Sequence, residues 1–172
     1  MILNIAIIAL CVILDQVTKM MAAAHLTDIG TYPIIEGVFH FTYVENRGAA
    51  FGMLADHRWI FMILSVIGIL AMFIWQSINR RDIMWNRVAL SFIIGGGIGN
   101  MIDRVALGYV IDFIDCRFID FYVFNVADSF VCVGCAMYVI GILWQEINEK
   151  KKAKAGSAVS DASAGDEVAE NE

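Results

Sequence analysis

Four long apolar stretches make up most of this chain of 172 residues. About 20 consecutive apolar residues are needed to cross a bilayer as an α-helix. The hydrophobic fraction of 59% and the mean hydropathy of +0.68 are too high for a soluble domain of this size. The chain is therefore predicted to be an all-α membrane protein with four transmembrane helices, at residues 2–24, 59–78, 85–102 and 123–144.

Basic residues in the short loops predict the orientation of these helices, because such loops favour the cytoplasmic side. Arg80, Arg81 and Arg87 flank the link between the second and third stretches, and Lys150, Lys151, Lys152 and Lys154 follow the fourth. With four spans both groups fall on one side, so both termini are predicted to be cytoplasmic. The first stretch lacks a basic start and a small-residue cleavage site, which indicates a permanent helix rather than a cleaved signal peptide.

The end of the chain differs in composition from the rest. From Ala155 onward there are five acids and no bases, in a background rich in alanine, serine and glycine. Such a segment lacks the apolar periodicity of a packed element and is predicted to be disordered. The chain is accordingly divided into a membrane domain at 1–150 and a disordered acidic cytoplasmic tail at 151–172.

The outer segment between the first two stretches contains "GVFHFTYV", whose alternating aromatic and β-branched residues favour a strand. The backbone groups of a strand need partners, and lipid supplies none. We therefore expect a small β cradle in the outer loop between helices 1 and 2, lying in the membrane interface.

Polar residues are concentrated near the outer ends of the predicted helices. A charged side chain within the bilayer costs several kcal/mol, so their convergence at one depth predicts a functional site. The contributing pairs come from four separate segments: Asp15 with Lys19, Asn46 with Arg47, Asn100 with Asp103, and Asn125 with Asp128.

Structural roles compete with functional ones at several of these positions. Asp15 and Lys19 are four residues apart on one helix face, so they could form a simple ion pair or hold substrate. Asn100, Asp103 and Arg104 could cap the end of their helix or support reacting groups. Gly95, Gly96, Gly97 and Gly99 precede them and are expected to let another backbone approach closely.

The strongest candidates for chemistry are Asp112 and Asp128, because two carboxylates at the mouth of a membrane protein can perform acid/base hydrolysis. Asn125 fits an N-cap, and the helix dipole favours an anion at Asp128, but capping explains Asp128 less well than Asn125. Asp115 and Asp120 compete with Asp112, and spacing does not choose among them. No G-x-S-x-G motif occurs, and the three histidines lack metal-ligand spacing, so no metal site is expected.

Five blocks in order resemble the lipoprotein signal peptidases of bacteria, the signal peptidase II family. They are "DQVTK" (15–19), "ENRGAAFG" (45–52), "GGGIGNMIDR" (95–104), "VIDFID" (110–115) and "FNVADS" (124–129). Each block alone is weakly specific, whereas five in register with the predicted topology are highly specific.

The resemblance implies a membrane-embedded aspartyl endopeptidase that removes signal peptides from diacylglyceryl-modified prolipoproteins by cleaving before the lipidated cysteine. It implies Asp112 and Asp128 as the catalytic pair, without metal or organic cofactor. The residues expected to bind substrate or support the pair are Asp15, Lys19, Asn46, Gly48, Asn100, Asp103, Arg104 and Asn125. The implied location is the bacterial inner membrane, multi-pass, with the active site near the periplasmic face.

The expected partners are lipid-modified prolipoproteins and membrane lipids, with no nucleic acid; the oligomeric state stays open, with a monomer preferred. The alternative function is a small proton- or ion-coupled membrane carrier, in which buried aspartates relay protons. A carrier needs polar residues distributed through the membrane, and the second stretch has almost none before Gln76.

Overall fold

The computed structural model describes residues 1–48, 58–79, 82–119 and 121–169, with the side chains of 58, 60, 61 and 152–169 left out of the description. Within these described ranges, four helices and three strands follow one another. They are α1 (Ile2–Leu26), β1 (Thr31–Ile35), β2 (Phe39–Asn46), α2 (Arg58–Ile78), α3 (Met84–Ala106), β3 (Val110–Cys116) and α4 (Val126–Ala169), with a single 3-10 turn at Arg117–Ile119 after β3.

The fold is mostly helical, as predicted for a membrane protein. Within the described residues, three helical segments are long and apolar enough to cross a membrane: Ile2–Leu26, Met84–Ala106 and Val126–Lys151. The segment Met62–Ile78 of α2 is a shorter apolar helix. Each predicted stretch thus coincides with a helix, while the presence of four membrane spans stays a prediction.

The centre of the helical bundle is α3, which packs against α1, α2 and α4. Glycines make the close approaches possible, because a side chain at Gly96 would overlap the carbonyl oxygen of Ala127 on α4, and one at Gly95 would come within 2.6 Å of the Cys11 Cβ on α1. The predicted close approach of another backbone is therefore confirmed at Gly96 and at Gly95, where an added Cβ would also lie 3.2 Å from the Ile8 carbonyl oxygen, whereas Gly97 and Gly99 face the side chains of Ile69 and Asp15.

The three strands form one antiparallel sheet in the order β1-β2-β3. The sequence analysis expected the cradle to come from the loop between α1 and α2 alone, and this was incomplete, because β3 belongs to the connection between α3 and α4. A two-stranded hairpin is marginally stable, and β3 pairs the otherwise open edge of β2. The sheet packs on the end of α1 through a core of Ala22, Leu26, Ile111 and Phe113.

The last helix is much longer than its membrane-spanning part. Helix α4 continues to Ala169, although the sequence analysis predicted disorder at 151–172. The physical reason is local composition, because alanine and lysine have high helix propensities and no proline interrupts the segment. The division of the chain into a membrane domain and a tail stays a prediction.

Candidate active site

Strand β3 carries Asp112 into the interior, where its residue is only 2% exposed. The side-chain amide of Asn125 donates to Asp112 Oδ1 over 2.6 Å. The side-chain amide of Asn46, at the end of the adjacent strand β2, donates to Asp112 Oδ2 over 2.9 Å. Both carboxylate oxygens are therefore held by amide donors from other elements.

Asp128 lies in the first turn of α4, where it forms a reciprocal capping box with Asn125. The Asp128 N–H donates to Asn125 Oδ1 over 2.9 Å, and the Asn125 N–H donates to Asp128 Oδ2 over 3.2 Å. The other oxygen, Asp128 Oδ1, accepts a hydrogen bond of 2.7 Å from the Asn100 amide of α3.

One residue, Asn125, therefore contacts both candidate acids. Its side-chain nitrogen bonds Asp112 and its backbone nitrogen bonds Asp128. The two carboxylates also interact electrostatically, because the negative charge of Asp128 disfavours ionisation of Asp112. The structure thus brings together residues from β2, α3, β3 and the start of α4.

The environment of Asp112 favours its protonated form. Desolvation by burial is the largest cause, and together with the charge of Asp128 it raises the pKa of Asp112 to about 6. The hydrogen bonds from Asn46 and Asn125 and the positive charge of Lys19 oppose this rise. A carboxyl group with such a pKa can exchange a proton near neutral pH.

The competing aspartate on the same strand has a different environment. Although burial acts to raise it, hydrogen bonds from Thr42 and Arg117 and the charge of Arg117 bring the pKa of Asp115 below its ordinary value. Thr42 Oγ1 donates to Asp115 Oδ2 over 2.7 Å, and Arg117 Nε donates to the same oxygen over 2.9 Å. Asp115 is thus a stable anion in an ion pair, and Asp120 lies outside the described residues.

A buried charge cluster lies beneath the two acids. Lys19 Nζ is 2.9 Å from Asp15 Oδ2 and 3.0 Å from Asp103 Oδ2, and the three residues are at most 3% exposed. Gln16 adds donors to both carboxylates, at 3.2 Å to Asp15 and 2.9 Å to Asp103. The sequence analysis did not single out Gln16, although a polar residue in an apolar helix beside Asp15 was a usable signal.

This cluster is connected directly to the candidate acids. Lys19 Nζ donates to Asn100 Oδ1 over 2.8 Å, and the same amide group of Asn100 donates to Asp128. Asp103 Oδ2 accepts from the Ile111 N–H, next to Asp112, and Asp15 Oδ1 accepts from the Ala127 N–H, next to Asp128. Since these charges are buried, their arrangement favours support of the two acids over direct contact with substrate.

The remaining predicted site residues surround the pair. Arg104 Nη1 donates to the Asn100 carbonyl over 3.3 Å, and the guanidinium lies in electrostatic range of Asp103, Asp112 and Asp128. The Gly48 N–H donates to Asn46 Oδ1 over 3.1 Å, which turns the amide nitrogen of Asn46 toward Asp112.

Comparison with known proteins connects this arrangement to one family. The family model described as signal peptidase (SPase) II matches residues 7–144, most of the chain. The chain belongs to the signal peptidase II family. The resemblance inferred from the five sequence blocks is thereby confirmed.

Two relatives of this signal peptidase II match it over most of their own length. A lipoprotein signal peptidase of Clostridioides difficile (strain 630) is 46% identical over 84% of this chain and 97% of that protein. A lipoprotein signal peptidase of Caldanaerobacter subterraneus subsp. tengcongensis is 52% identical over 76% of this chain and 88% of that protein.

The architecture is also similar to a solved bacterial membrane enzyme. That structure superposes with a TM-score of 0.76 and 35% sequence identity, covering 84% of this chain and 90% of the other. Membership of signal peptidase II supports a peptidase in a membrane, and the alternative of a proton- or ion-coupled carrier is not supported.

Proposed function

We propose that this signal peptidase II removes signal peptides from diacylglyceryl-modified prolipoproteins, cleaving before the lipidated cysteine, with Asp112 and Asp128 as its catalytic aspartates. The observation that carries this proposal is the double contact of Asn125, which bonds Asp112 through its side chain and Asp128 through its backbone. Two carboxylates held by one residue can act on one water molecule and one peptide bond.

Asp112 is the member of the pair that carries the proton, and Asp128 is the ionised member. Burial disfavours the charged form of Asp112. Asp128 instead receives hydrogen bonds from Asn100 and the Asn125 N–H at the start of α4, where the helix dipole favours an anion. The two environments thus give the two acids different roles.

Hydrolysis then proceeds by proton transfer between water, the pair and the peptide bond. Asp128 takes a proton from water, and the water oxygen attacks the scissile carbonyl carbon. Asp112 donates its proton to the carbonyl oxygen as that oxygen becomes negative. The tetrahedral intermediate breaks the carbon–nitrogen bond when the cysteine nitrogen takes the proton held by Asp128, and the new carboxyl group returns a proton to Asp112.

The substrate lies against Arg104, Asn46 and Gly48 in this proposal. Among the described residues, no carboxylate is within 4.0 Å of the Arg104 guanidinium, so its donors are available to substrate oxygens. Glycine at position 48 permits close approach of a peptide backbone to β2. The residues that support the catalytic pair without contacting substrate are Asp15, Lys19, Asn100, Asp103 and Asn125.

The proposed topology has α2 as a fourth span, with both termini in the cytoplasm and the catalytic pair near the periplasmic face of the bacterial inner membrane. The arginines around the α2–α3 link and the lysines after the membrane part of α4 support this orientation. Diacylglycerol on the substrate cysteine confines the cleavage site to the membrane surface, at the depth of the pair. A monomer is the preferred oligomeric state.

A cleavage assay tests this function. Purified protein in detergent is incubated with a prolipoprotein that is either diacylglyceryl-modified or unmodified, and the loss of the signal peptide is followed by electrophoretic mobility. The expected result is cleavage of the modified form alone. Absence of cleavage, or equal cleavage of the unmodified form, would contradict the proposed substrate.

A further inference from the structure

A second polar site lies at the opposite end of the bundle from the catalytic pair. A cavity of about 370 Å³ opens between the end of α2, the start of α3 and the distal part of α4. It is lined by Trp75, Asn79, Asp82, Asn86, Tyr138, Ile142 and Gln145. None of these residues takes part in the proposed chemistry.

The hydrogen bonds around this cavity engage the amide donors of three side chains. The Asn86 amide nitrogen donates to Asp82 Oδ1 and Gln145 Oε1, both over 3.0 Å, and the Gln145 nitrogen donates to Asp82 Oδ1 over 2.9 Å. The Asn79 nitrogen donates to the Trp75 carbonyl. Asn86 therefore uses both of its side-chain N–H groups within the protein, and Gln145 and Asn79 each use one.

The unused groups are oxygens and aromatic faces. Asn86 is 1% exposed, and its Oδ1 has no hydrogen-bond partner among the described residues. Asp82 Oδ1 accepts three hydrogen bonds, including one from the Ile83 N–H. Asp82 Oδ2 accepts none of these hydrogen bonds from the described part of the chain. Trp75 is 54% exposed and Tyr138 lines the same cavity. A carboxylate oxygen and aromatic rings in one cavity together suit an ammonium or guanidinium group.

Nearby described charges do not already fill this site. Arg87 points toward α1, where its Nη2 donates to Asn4 Oδ1. Glu146 and Lys150 pair with each other at 2.7 Å further along α4. Arg80 and Arg81, on the α2–α3 link, lie outside the described residues.

The cavity and the catalytic pair lie toward the same side of α3. Asn86 and Asn100 are fourteen residues apart on α3, close to four helical turns, and therefore lie on the same side of that helix. Helices α2 and α4 both pack against α3 but make few contacts with each other. Gln145 follows Asp128 by 17 residues on α4, a distance of about 26 Å.

We infer that the cavity around Asp82 binds a basic residue at the N-terminal end of the signal peptide while the cleavage site lies at the catalytic pair. This inference rests on the proposed function, because it concerns the same substrate. A signal peptide begins with a positively charged region followed by an apolar segment of 7–15 residues. At 1.5 Å per residue, a helical apolar segment of 15 residues is about 22 Å long, so the longer segments, together with the residues that flank them, span the roughly 26 Å between the cavity and the catalytic pair.

The test compares two lipidated prolipoproteins that differ only in their N-terminal lysines, kept in one and changed to glutamine in the other. The protein is reconstituted in nanodiscs of phosphatidylglycerol, and KM and kcat are measured. The lysine substrate should have a KM about fivefold lower, with equal kcat, as expected for one partly buried ion pair. Asp82→Asn should remove this difference by raising KM for the lysine substrate alone.

Glu146→Gln is the matched control, because it removes an acid from the same end of α4 outside the cavity; it should keep the fivefold difference. Asn79→Asp is a second variant that adds a carboxylate and leaves the bonds to Asp82 intact. It should lower KM further for the lysine substrate only. If Asp82→Asn and Asn79→Asp each change KM by the same factor for the lysine substrate and for the glutamine substrate, the inference is overturned.

The amine of a lipid headgroup is the alternative ligand that the test must distinguish from the signal peptide. If the effect of Asp82→Asn appears only in nanodiscs that contain phosphatidylethanolamine, and is the same for both substrates, the cavity binds a lipid headgroup and the inference is wrong. If wild-type protein cleaves both substrates with the same KM, the inference also fails while the proposed function stands. If neither substrate is cleaved by wild-type protein, the proposed function itself fails.

Discussion

Asn125 and Asp128 cap each other at the start of α4, with the Asp128 N–H on Asn125 Oδ1 and the Asn125 N–H on Asp128 Oδ2. The same Asn125 holds Asp112 through its side-chain nitrogen. The helix start therefore determines where both carboxylates lie, so local secondary structure and the geometry of the site are coupled.

Replacing either proposed catalytic acid should stop cleavage without unfolding the protein. Asp112→Asn and Asp128→Asn preserve side-chain shape but remove proton transfer, so kcat should fall by roughly 10²–10⁴-fold or more. Cleavage of lipidated prolipoprotein is measured beside thermal unfolding in detergent. Asp115→Asn is the matched control and should be milder, because Asp115 pairs with Arg117 and Thr42. Activity close to wild type in either Asp112→Asn or Asp128→Asn would end the assignment.

The two roles of Asn125 can be separated by a pair of substitutions. Asn125→Ser and Asn125→Ala both remove the nitrogen that donates to Asp112, so each should lower kcat by up to roughly 10²-fold. Serine is still a good N-cap and alanine is not. The free energy of unfolding of the alanine variant should therefore be about 1 kcal/mol lower than that of the serine variant. Denaturation and kcat are measured for both. Equal stability of the two variants would mean that the capping box contributes little.

The sequence predicted the helices well because a long apolar run is a local property of the sequence. The four apolar runs correspond to α1, α2, α3 and α4, and the glycines before Asn100 indicated close helix packing. Strand β3 was missed because a short segment that contains Asp112 and Asp115 looks like a polar connection, and its pairing with β2 depends on residues about 70 positions away.

The sequence alone also could not decide whether Asp112 or Asp115 is the catalytic candidate on β3. The two differ in their partners, which are Asn46 and Asn125 for one and Thr42 and Arg117 for the other. Apart from Arg117, these partners lie outside β3, between 13 and 73 residues away along the chain, so spacing along β3 carries no information about them. The cavity around Asp82 was missed for the same reason, because its acceptors become visible only after Asn86 and Gln145 are paired.

The buried cation of the supporting cluster should matter strongly for stability. Lys19→Met leaves Asp15 and Asp103 buried without their positive partner, which should cost about 3–5 kcal/mol of unfolding free energy. Adding Asp103→Asn should restore part of this loss by removing one buried charge. Lys150→Met, at an exposed ion pair with Glu146, should change stability by less than about 0.5 kcal/mol. A Lys19→Met protein as stable as wild type would contradict the burial of a charged cluster.

Two neighbouring glycines on α3 should differ sharply in tolerance. A methyl group at Gly96 would overlap the Ala127 carbonyl, which is backbone and cannot rotate away, so Gly96→Ala should cost roughly 1–3 kcal/mol and slow cleavage. A methyl group at Gly97 meets the Ile69 side chain at 3.1 Å, and that side chain can shift. Gly97→Ala should therefore be nearly neutral, helped by the better helix propensity of alanine. Thermal unfolding and cleavage rates of the two variants make the comparison.

The pH dependence of cleavage should report the proton on Asp112. If Asp112 must be protonated to donate to the carbonyl oxygen, kcat/KM should fall as pH rises through its pKa of about 6. The Asn46 hydrogen bond favours the ionised form, so Asn46→Ala should raise this pKa and move the alkaline limb to higher pH, although the maximal rate should be lower. Thr42→Ala serves as the control, because Thr42 bonds Asp115 instead, and its alkaline limb should stay in place. If kcat/KM instead rises with pH through about 6, and this acid limb moves to higher pH in Asn46→Ala, the ionised form of Asp112 is the active one, and the roles of the two aspartates are exchanged.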